Sequence, residues 1–409
     1  MTKEQRRISG ESRGPLEDVR ILDLTRVTGA PYGSLVLADL GAEVILIEPP
    51  QTAVSLSTRD TVDTVNSYKG ESIQFTALNR NKKSICLDLK SQKGKEVFYD
   101  LVRKSDVVFD NFRPGVMGRL GIDYETLKTI NPRIISCSVT GYGETGPFRD
   151  RPAFDVAIQA NCGMWLYNHK PQPNQRPIRP PLPLADFAGG LFASQGIMAA
   201  LYARERTGKG QKLDLAIQDA TLSLLGMPAA YQLNLGFLRD PFERVLWGAF
   251  KAKDTYIVVG AQREGVWRTL CQALGREEWL TDPRFDSQEK RIQNYEELVA
   301  LVDETLSTKN AAEWLKILTE NGVVCALLKT IEEALSDQQI LERNMVVTID
   351  HARGGQLRLV GNPIKMSGTP AEVFNSPPTF GQHTDAILSK ALGYSKEKIE
   401  QLRKEQVVA

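Results

Sequence analysis

Histidine and cysteine are both scarce in this chain of 409 residues, which contains three of the former and five of the latter. The histidines, His169, His351 and His383, have no partner at metal-ligand spacing, and none lies beside a serine or cysteine in a nucleophile motif. The cysteines are odd in number and scattered, which argues against a disulfide framework and favours a reducing, cytoplasmic setting. The sequence therefore gives little support to a metal site or to a zinc, serine or cysteine hydrolase.

An excess of one charge, a signal peptide and a membrane span are missing as well. The formal net charge is +1, so neither nucleic acid nor an anionic membrane is expected as a partner. The first fourteen residues mix basic and acidic side chains without an apolar core, and we expect a flexible tail there. We identify no apolar run that approaches the length of a membrane-spanning helix.

Two glycine-rich phosphate-binding motifs, G-x-G-x-x-G and the P-loop, are also absent, which argues against a dinucleotide cradle and against phosphoryl transfer. What is present is an alternation of strand and helix patterns through the first 225 residues. A strand over 19–27, a helix over 32–40 and a strand over 43–48 predict a βαβ unit, and hence a parallel sheet in an α/β domain. Glu48 ends the second strand, where it could either bind a ribose or be an ordinary strand-end residue.

The length of the chain and a change of pattern near residue 226 predict two domains. Residues 15–225 form the first. Residues 226–330 form a smaller α+β domain that starts with an unpatterned linker over 226–243. Two β-hairpins are expected, one across 250–261 and one across 346–360.

Polar loops follow several strands of the first domain, and the carboxyl ends of parallel strands meet at one edge of a sheet, where ligands bind. Asn79–Lys83 carries enough basic and amide groups to hold a phosphate, or forms a solvated turn. Asp110–Gly115, with Arg119 nearby, offers an amide, an aromatic ring and a cation for a flat anionic ligand such as an adenine nucleotide. Thr140–Pro147 is a pliable loop with three glycines.

Asp186 lies between a proline-rich segment and a glycine pair, immediately ahead of an apolar stretch that predicts a buried helix. Prolines hold the incoming chain extended, and glycines allow a backbone or a ligand to approach closely. Two interpretations are open. The side chain could cap the first turn of the helix, or its carboxylate could face a bound ligand at the positive end of the helix.

Seven ordered motifs resemble those of the class III coenzyme A transferases, the family of formyl-CoA and carnitine-CoA transferases. The resemblance extends from about Pro15 to Val408, nearly the whole chain. The motifs are Leu22–Val27, Asn81–Ile85, Asn111–Gly115, Thr140–Gly143, Ala185–Gly190, Thr207–Gln211 and Gly381–Asp385.

The resemblance implies an α/β fold in which a large Rossmann-like domain with a parallel sheet is made of N- and C-terminal parts. Residues 331–409 would then return to the large domain, and 226–330 would be the small domain between its parts. It also implies a homodimer whose two subunits interlock like links of a chain.

The resemblance further implies that Asp186 is the nucleophile of a CoA transfer. Its carboxylate would attack an acyl-CoA thioester, giving a mixed anhydride and then an aspartyl-CoA thioester that an acceptor acid attacks. This chemistry calls for a carboxylate of ordinary, low pKa and for oxyanion donors, for which the N–H groups of Gly189 and Gly190 or of the Gly141 loop are candidates.

Coenzyme A enters this scheme as a substrate, and no permanently bound cofactor or metal is expected. The partners would be an acyl-CoA donor, for which succinyl-CoA is one candidate, and a small carboxylic acid as acceptor. Arg26, Arg176 or Arg179 could pair with the distal carboxylate of a dicarboxylic acid, or each could be an ordinary surface charge. The positions that match the family's CoA contacts are Val27, Leu87, Lys90, Asn111, Phe112 and Arg119.

Several departures from the family pattern bear on the substrate. Thr28 and Thr140 stand where some transferases have glutamine and lysine, and a glycine-rich loop has no counterpart in 239–250, which argues against formyl-CoA or oxalate chemistry. The α-methylacyl-CoA racemases share the fold and are the nearest alternative, but Phe154 stands where they have a histidine base. A NAD-dependent dehydrogenase or a non-catalytic nucleotide-binding protein is a second alternative, based on the βαβ opening alone.

Overall fold

The structure, a computed structural model, describes residues 14–50, 67–168, 175–237, 246–372 and 374–409. The expected flexible tail therefore lies almost entirely outside the described residues. The chain divides into two compact units, a large one that runs to Gly236 and resumes at Asn344, and a small one over Phe237–Arg343. We describe each by itself.

The large unit is built from alternating strands and helices, joined by two short hairpins and C-terminal helices. Its elements are β1 (Arg20–Asp23), α1 (Gly29–Asp39), β2 (Glu43–Glu48), β3 (Ser67–Tyr68), β4 (Glu71–Ser72), α2 (Ile73–Leu78), β5 (Lys82–Cys86), α3 (Gln92–Val102), β6 (Val107–Asp110), α4 (Val116–Leu120), α5 (Tyr124–Ile130), β7 (Ile135–Thr140), α6 (Asp155–Asn161), α7 (Met164–Asn168), α8 (Leu184–Thr207), β8 (Lys212–Ala216), α9 (Ile217–Leu224) and α10 (Gly226–Leu235).

The small unit contains a three-stranded antiparallel sheet covered by helices on one face, and the remaining elements belong again to the large unit. Those of the small unit are β9 (Trp247–Lys251), β10 (Tyr256–Gly260), α11 (Glu264–Leu274), α12 (Gln288–Gln293), α13 (Tyr295–Leu306), α14 (Ala311–Glu320), β11 (Val324–Leu327), α15 (Ile331–Leu335) and α16 (Gln338–Glu342). The large unit ends with β12 (Val346–Asp350), β13 (Gln356–Val360), α17 (Thr384–Ala386) and α18 (Lys396–Lys404).

Six parallel strands form the central sheet of the large unit, in the order β5-β2-β1-β6-β7-β8. The predicted α/β fold with a parallel sheet is confirmed. Strands β1, β2, β6 and β7 are almost wholly buried because helices cover both faces. Their central residues are mostly apolar, although β7 (ISCSVT) also buries Ser136 and Ser138. The chain winds outward in both directions from β1, so the strand order reverses between β1 and β6.

The outer strand β5 is covered by residues from the C-terminal part of the large unit. The Ser84 N–H donates to Nδ1 of His383, and the His383 N–H donates to the Ser84 carbonyl oxygen. The Cys86 N–H donates to Thr384, and the Asp88 N–H donates to the Val407 carbonyl oxygen. These bonds satisfy backbone groups that an edge strand would otherwise leave open to pairing with another chain.

Both predicted hairpins are confirmed, as β9–β10 and as β12–β13, the latter in register from Val346–Val360 to Asp350–Gln356. The predicted linker over 226–243 is wrong in its first part, where Gly226–Leu235 is helical as α10. Residues 155–168 form two helices, α6 and α7, separated at Gly163, whose φ of +79° ends the first.

Helix α8 spans 24 residues and, by length and composition alone, could cross a membrane. In this respect the expectation that no apolar segment is long enough was wrong. Half of its most apolar window is buried inside the unit, where the helix packs against α1, α6 and α9 and against β7 and β8. Apolar helices at the centre of a protein core have this composition too.

Helices α1 and α8 touch backbone to backbone, because glycines occupy the contact on both sides. A Cβ atom on Gly190 would lie 2.2 Å from the carbonyl oxygen of Gly29, and one on Gly33 would lie 2.5 Å from the carbonyl oxygen of Gly190. A Cβ atom on Gly29 would meet the backbone of Asp186 at 2.6 Å. The start of α1 is thereby fixed directly against the first turn of α8.

We predict that Gly190→Ala lowers the free energy of unfolding by about 2 to 3 kcal/mol, because the added methyl group must push two backbones apart. Gly196→Ala on the same helix is the matched control, since its Cβ would meet only the end of the Leu213 side chain at 3.6 Å. That substitution should be neutral or stabilising by up to about 1 kcal/mol. Urea denaturation of both variants measures the difference, and equal effects would contradict the close contact.

Candidate active site

The predicted ligand-binding residues of the large unit lie where its parallel strands end. Val27 lies in the loop after β1, whereas Asn111 and Phe112 directly follow β6. Strands β1 and β6 are neighbours, and the chain winds away from them in opposite directions. A crevice of this kind is where open α/β sheets bind their ligands.

The side chain of Asn111 holds the loop after β1. Its Oδ1 accepts a hydrogen bond from the Arg26 N–H at 2.9 Å, and its Nδ2 donates to the Arg26 carbonyl oxygen at 2.7 Å. The next residue, Val27, has a φ of +72°, which is unfavourable for a β-branched side chain. The two hydrogen bonds therefore maintain a strained backbone at the mouth of the crevice.

Phe112 and Asp110 complete this part of the site. The Arg26 guanidinium lies over the Phe112 ring, 5.5 Å from its centroid. Asp110 accepts hydrogen bonds from the Ser138 hydroxyl at 2.7 Å and from the Phe112 N–H at 3.1 Å. Burial raises the pKa of Asp110 to about 6 despite these bonds. Because the Asp110 carboxyl bonds to the Phe112 N–H, it stabilises the turn that presents Phe112.

The other predicted contact residues occupy the same edge of the sheet without joining this cluster. Leu87 is buried at the end of β5, and its N–H donates to the Glu48 carbonyl oxygen. Lys90 and Arg119 are exposed. Among the described residues, no side-chain hydrogen bond or ion pair joins either of them to Asn111 or Phe112.

The basic segment Asn79–Lys83, which could have held a phosphate or formed a solvated turn, does not form a phosphate site. Its cations are paired inside the large unit: Arg80 with Asp39, Lys82 with Asp23 and Lys83 with Glu43. Lys82 is fully buried, which is tolerable because its ammonium group also donates to Ser34 and Asn79. The segment is a structural element of the sheet rather than a binding loop.

Asp186 is the third residue of α8, inside its first turn, rather than the residue that precedes the helix. Pro183 occupies the N-cap position, and no side chain there accepts a hydrogen bond. The N–H groups of Ala185 and Asp186 donate instead to Oδ1 of Asp155, at 2.9 and 3.1 Å. The interpretation of Asp186 as a helix cap is therefore wrong, because Asp155 has that role.

Asp155 is itself held by a neighbour on its own helix. Its Oδ2 accepts a hydrogen bond from Nε2 of Gln159 at 2.6 Å, and the same nitrogen donates to the Leu182 carbonyl oxygen at 3.1 Å. Sequence reasoning assigned no role to Asp155, the residue after Phe154, or to Gln159. Their spacing of four residues on one helix is visible in the sequence, but their contact with α8 is not.

The pKa of Asp186 differs from the sequence-based expectation. Burial of the carboxyl, followed by the negative charge of Asp155, raises the pKa of Asp186 from 3.8 to about 7. The ordinary, low pKa that the chemistry was expected to call for is therefore not found at Asp186. The carboxyl is present in both protonation states near neutral pH, and proton uptake by it is coupled to the charge on α6.

The N–H groups of Gly189 and Gly190 are not available as oxyanion donors, because both residues lie inside α8, where N–H groups bond to carbonyl oxygens one turn earlier. That prediction is wrong. The Gly141 loop is the remaining candidate. It packs against the approach to α6, since a Cβ atom on Gly141 would lie 2.1 Å from Cβ of Ala153.

Three further positions bear on the alternatives for the chemistry. Phe154 is 74% exposed at the start of α6 and offers no acid or base. The buried hydroxyl of Thr140 has no hydrogen-bond partner among the residues that the structure describes. Glu48 is buried and accepts a hydrogen bond from the Ser84 hydroxyl, which favours a strand-end role over ribose binding.

In the described parts of the chain, no three or more histidine, cysteine, aspartate or glutamate side chains are grouped so as to hold a metal ion. His351 lies 3.5 Å from a Glu71 carboxylate oxygen, and His383 contributes its Nδ1 to the edge of the sheet. His169 lies outside the described residues.

Comparison with known proteins identifies relatives along nearly the whole chain. The model of CoA-transferase family III matches residues 16–384. Acetyl-CoA:oxalate CoA-transferase of Acetobacter aceti is 37% identical over 87% of this chain and 90% of its own length. Succinyl-CoA:glutarate CoA-transferase of Mus musculus is 34% identical over 96% of this chain and 90% of its own length.

A solved structure shows the same architecture. The crystal structure of a CAIB/BAIF family protein from Brucella suis matches this structure with a TM-score of 0.81 and 29% sequence identity. The match covers 93% of this chain and 100% of that one.

We predict that Asp186→Asn stabilises the protein at pH 8 by about 1 to 2 kcal/mol. A carboxyl whose pKa is raised on folding contributes stability below its unfolded pKa, near 4, and that contribution is lost as the pH rises through about 7. The asparagine cannot ionise, so the difference between variant and wild type should shrink as the pH falls from 8 towards 4. Thermal and urea unfolding across this range measure it.

Asp254→Asn is the control with the opposite expected sign, because backbone hydrogen bonds lower the pKa of Asp254. It should make the protein no more stable at pH 8. An Asp186→Asn variant that is equally or less stable than wild type at pH 8 would contradict the raised pKa.

Proposed function

The chain belongs to CoA-transferase family III, and we propose that it moves coenzyme A from an acyl-CoA donor to a small carboxylic acid through covalent intermediates on Asp186. Membership of this family leaves no support for the dehydrogenase or non-catalytic nucleotide-binding alternatives. The observation that carries the proposal is that Asp155, and not Asp186, caps α8. Within the described part of the chain, no side-chain hydrogen bond or ion pair engages the Asp186 carboxylate.

The proposed reaction exchanges one acyl bond at a time. A carboxylate oxygen of Asp186 attacks the thioester carbon, the carbon–sulfur bond breaks, and CoA thiolate leaves a mixed anhydride behind. The thiolate attacks the aspartyl carbonyl carbon, which releases the donor acid and gives an aspartyl-CoA thioester. The acceptor carboxylate attacks that carbon, the carbon–sulfur bond breaks, and the thiolate leaves a second mixed anhydride between Asp186 and the acceptor. The thiolate then attacks the acceptor carbonyl carbon, which forms the new acyl-CoA and restores the Asp186 carboxylate.

The environment of Asp186 favours these steps on electrostatic grounds. The anhydride and the thioester at Asp186 are uncharged, whereas the free carboxylate is a partly buried anion beside Asp155. Forming either intermediate therefore relieves the interactions that raise the pKa of Asp186 to about 7. A carboxylate with a raised pKa is also the more basic nucleophile once it has lost its proton.

The names of the relatives bear on the acids that are exchanged. Relatives are described as transferases for oxalate and for glutarate, so we propose a small dicarboxylic acid as acceptor and include succinyl-CoA among the donors. Arg26, over the Phe112 ring at the crevice, is our candidate partner for a distal carboxylate. Arg176 and Arg179 are exposed and remain weaker candidates.

We propose that the strand-end residues hold coenzyme A. Val27, Asn111 and Phe112 form the part of the site that internal hydrogen bonds fix in place. Lys90 and Arg119 are exposed cations suited to phosphate groups, and buried Leu87 supports the loop before Lys90. This proposal includes no permanently bound cofactor and no metal.

We predict that the wild-type protein, incubated with succinyl-CoA and a panel of oxalate, glutarate, formate and acetate, forms at least one new CoA ester detectable by mass spectrometry. Asp186→Asn should lower its rate about 1,000-fold or more, because the nucleophile is lost. Hydroxylamine added during turnover should convert Asp186 to a hydroxamate, located by peptide mass spectrometry.

Asp219→Asn is the matched control, since Asp219 also lies in the first turn of a helix, α9. It should retain activity, and Asp219 should carry no hydroxamate. An Asp186→Asn variant with wild-type activity would end the proposal. Release of the α-proton of a 2-methylacyl-CoA into solvent would favour the racemase alternative instead.

We further propose a homodimer, interlocked as the resemblance implies, and a cytoplasmic location. Helix α10 supports the dimer because it exposes apolar side chains, with Met227 78% and Leu233 83% exposed in the single chain. Large exposed apolar patches on soluble proteins often mark interaction surfaces.

Light scattering should give twice the 45.5 kDa mass of one chain. The double variant Met227→Glu and Leu233→Glu should shift the mass towards that of a monomer, because it places charge on the apolar surface. Thr129→Glu, on exposed α5, adds charge without removing apolar surface and should leave the dimer intact. A wild-type mass of 45.5 kDa would refute the dimer.

A further inference from the structure

We propose that Asp155 and Gln159 form a clamp that positions Asp186, by holding the backbone of the first turn of α8 so that the Asp186 carboxylate faces the reaction free of capping bonds. This inference rests on the proposed function of Asp186. It assigns no chemistry to Asp155, which acts through Asp186 and is a positioning residue.

The clamp is made of four hydrogen bonds, of which three join α6 to the chain at the start of α8 and one lies within α6. Oδ1 of Asp155 accepts two of them, from the N–H groups of Ala185 and Asp186. Nε2 of Gln159 donates the other two, to Oδ2 of Asp155 and to the carbonyl oxygen of Leu182. The bonds thus hold the chain on both sides of Pro183, at Leu182 before the helix and at Ala185 and Asp186 within it.

The orientation of the Gln159 amide indicates that its two donated hydrogen bonds determine where the side chain lies. Gln159 is fully buried, and its Oε1 has no hydrogen-bond partner among the described residues. A buried amide oxygen without a partner is destabilising. Reversing the amide would place that oxygen against a carboxylate and a carbonyl oxygen, which is worse, so the side chain is placed to serve its two acceptors.

The clamp explains how a nucleophile can occupy the first turn of a helix. An aspartate in that turn ordinarily lowers its own reactivity by bonding to the free N–H groups nearby. Here those N–H groups are already satisfied by Asp155. The Asp186 carboxylate keeps its lone pairs, and the backbone that carries it is fixed from α6 on one side and by Gly29 on the other.

Asp155 also places a charge beside Asp186, and the surrounding elements carry few others. Helix α8 packs against α1, α6, α9, β7 and β8. The titratable groups on those elements are Tyr32, Asp39, Asp155, Asp219, Cys137, Lys212 and Asp214. Among them, Asp155 is the group whose charge acts on Asp186.

We predict that Asp155→Ala lowers kcat for CoA transfer from succinyl-CoA about 100-fold, because a displaced nucleophile loses its alignment. KM for succinyl-CoA should change less than about threefold, since no CoA contact is removed. Asp155→Asn should recover part of kcat, because its carbonyl oxygen can still accept the two N–H bonds. Its acid limb of kcat/KM should also move to lower pH, since the charge beside Asp186 is gone.

Asp254→Ala is the matched control. Oδ1 of Asp254 likewise accepts two backbone N–H bonds, from Thr255 and from Ala311 in the first turn of α14, but it lies in the small unit. This variant should lose helix capping and keep both kcat and the pH profile.

Gln159→Glu should lower kcat more than Gln159→Leu. The glutamate would place a carboxylate oxygen where the amide nitrogen of Gln159 now donates to Asp155 and to the Leu182 carbonyl oxygen.

Hydrogen exchange supplies a measurement that needs no turnover. In Asp155→Ala, the amides of Ala185 and Asp186 should exchange faster, and in Asp155→Asn they should remain protected. Unchanged exchange in Asp155→Ala would refute the clamp, and faster exchange with wild-type kcat would refute its role in positioning. If Asp186→Asn instead keeps wild-type activity, the proposed function fails, and the positioning of a nucleophile fails with it, whereas exchange still decides whether the bonds exist.

Discussion

The site depends on the direct contact between the backbones of α1 and α8. Only glycine allows the carbonyl oxygen of Gly29 to approach Gly190 so closely, and the same contact sets Gly29 against the backbone of Asp186. Because α1 begins directly after the loop that contains Val27, the contact relates the strand ends of the sheet to the first turn of α8. The Asn111 bonds to Arg26 and the α6 bonds to α8 then fix the two sides of that junction.

The repulsion between Asp155 and Asp186 destabilises the folded protein and favours the reaction that we propose. Two carboxylates lie close together at the start of α8. The Asp155 carboxylate accepts three hydrogen bonds, whereas the Asp186 carboxylate accepts no hydrogen bond from any residue that the structure describes. Helix capping and the proposed nucleophilic attack are thereby assigned to two different carboxylates. Asp155 satisfies the N–H groups at the start of the helix, and the negative charge of Asp186 is unfavourable in the resting protein. The covalent intermediates that we propose would remove that charge.

Sequence reasoning succeeded where a pattern is repeated locally and failed where a role depends on contact between distant segments. Strand β2 contains a continuous apolar run between two glutamates, so it was predicted with its observed bounds, Glu43–Glu48. Helix α10 was missed because its apolar residues face solvent in the single chain and show no periodic polar face. The clamp was missed because Asp155 and Asp186 are 31 residues apart, and no local pattern links an acid in one helix to the backbone of another.

The cover on β5 has a consequence for the order of events during synthesis. Ser84 and His383, which bond at this edge, are separated by 299 positions. At about 5 to 20 residues per second, the ribosome needs roughly 15 to 60 s to make the intervening chain. During that interval the sheet has an open edge, and the whole small unit is completed and able to fold first. Until residue 383 leaves the ribosome, β5 therefore lacks the bonds that keep its backbone groups from pairing with another chain.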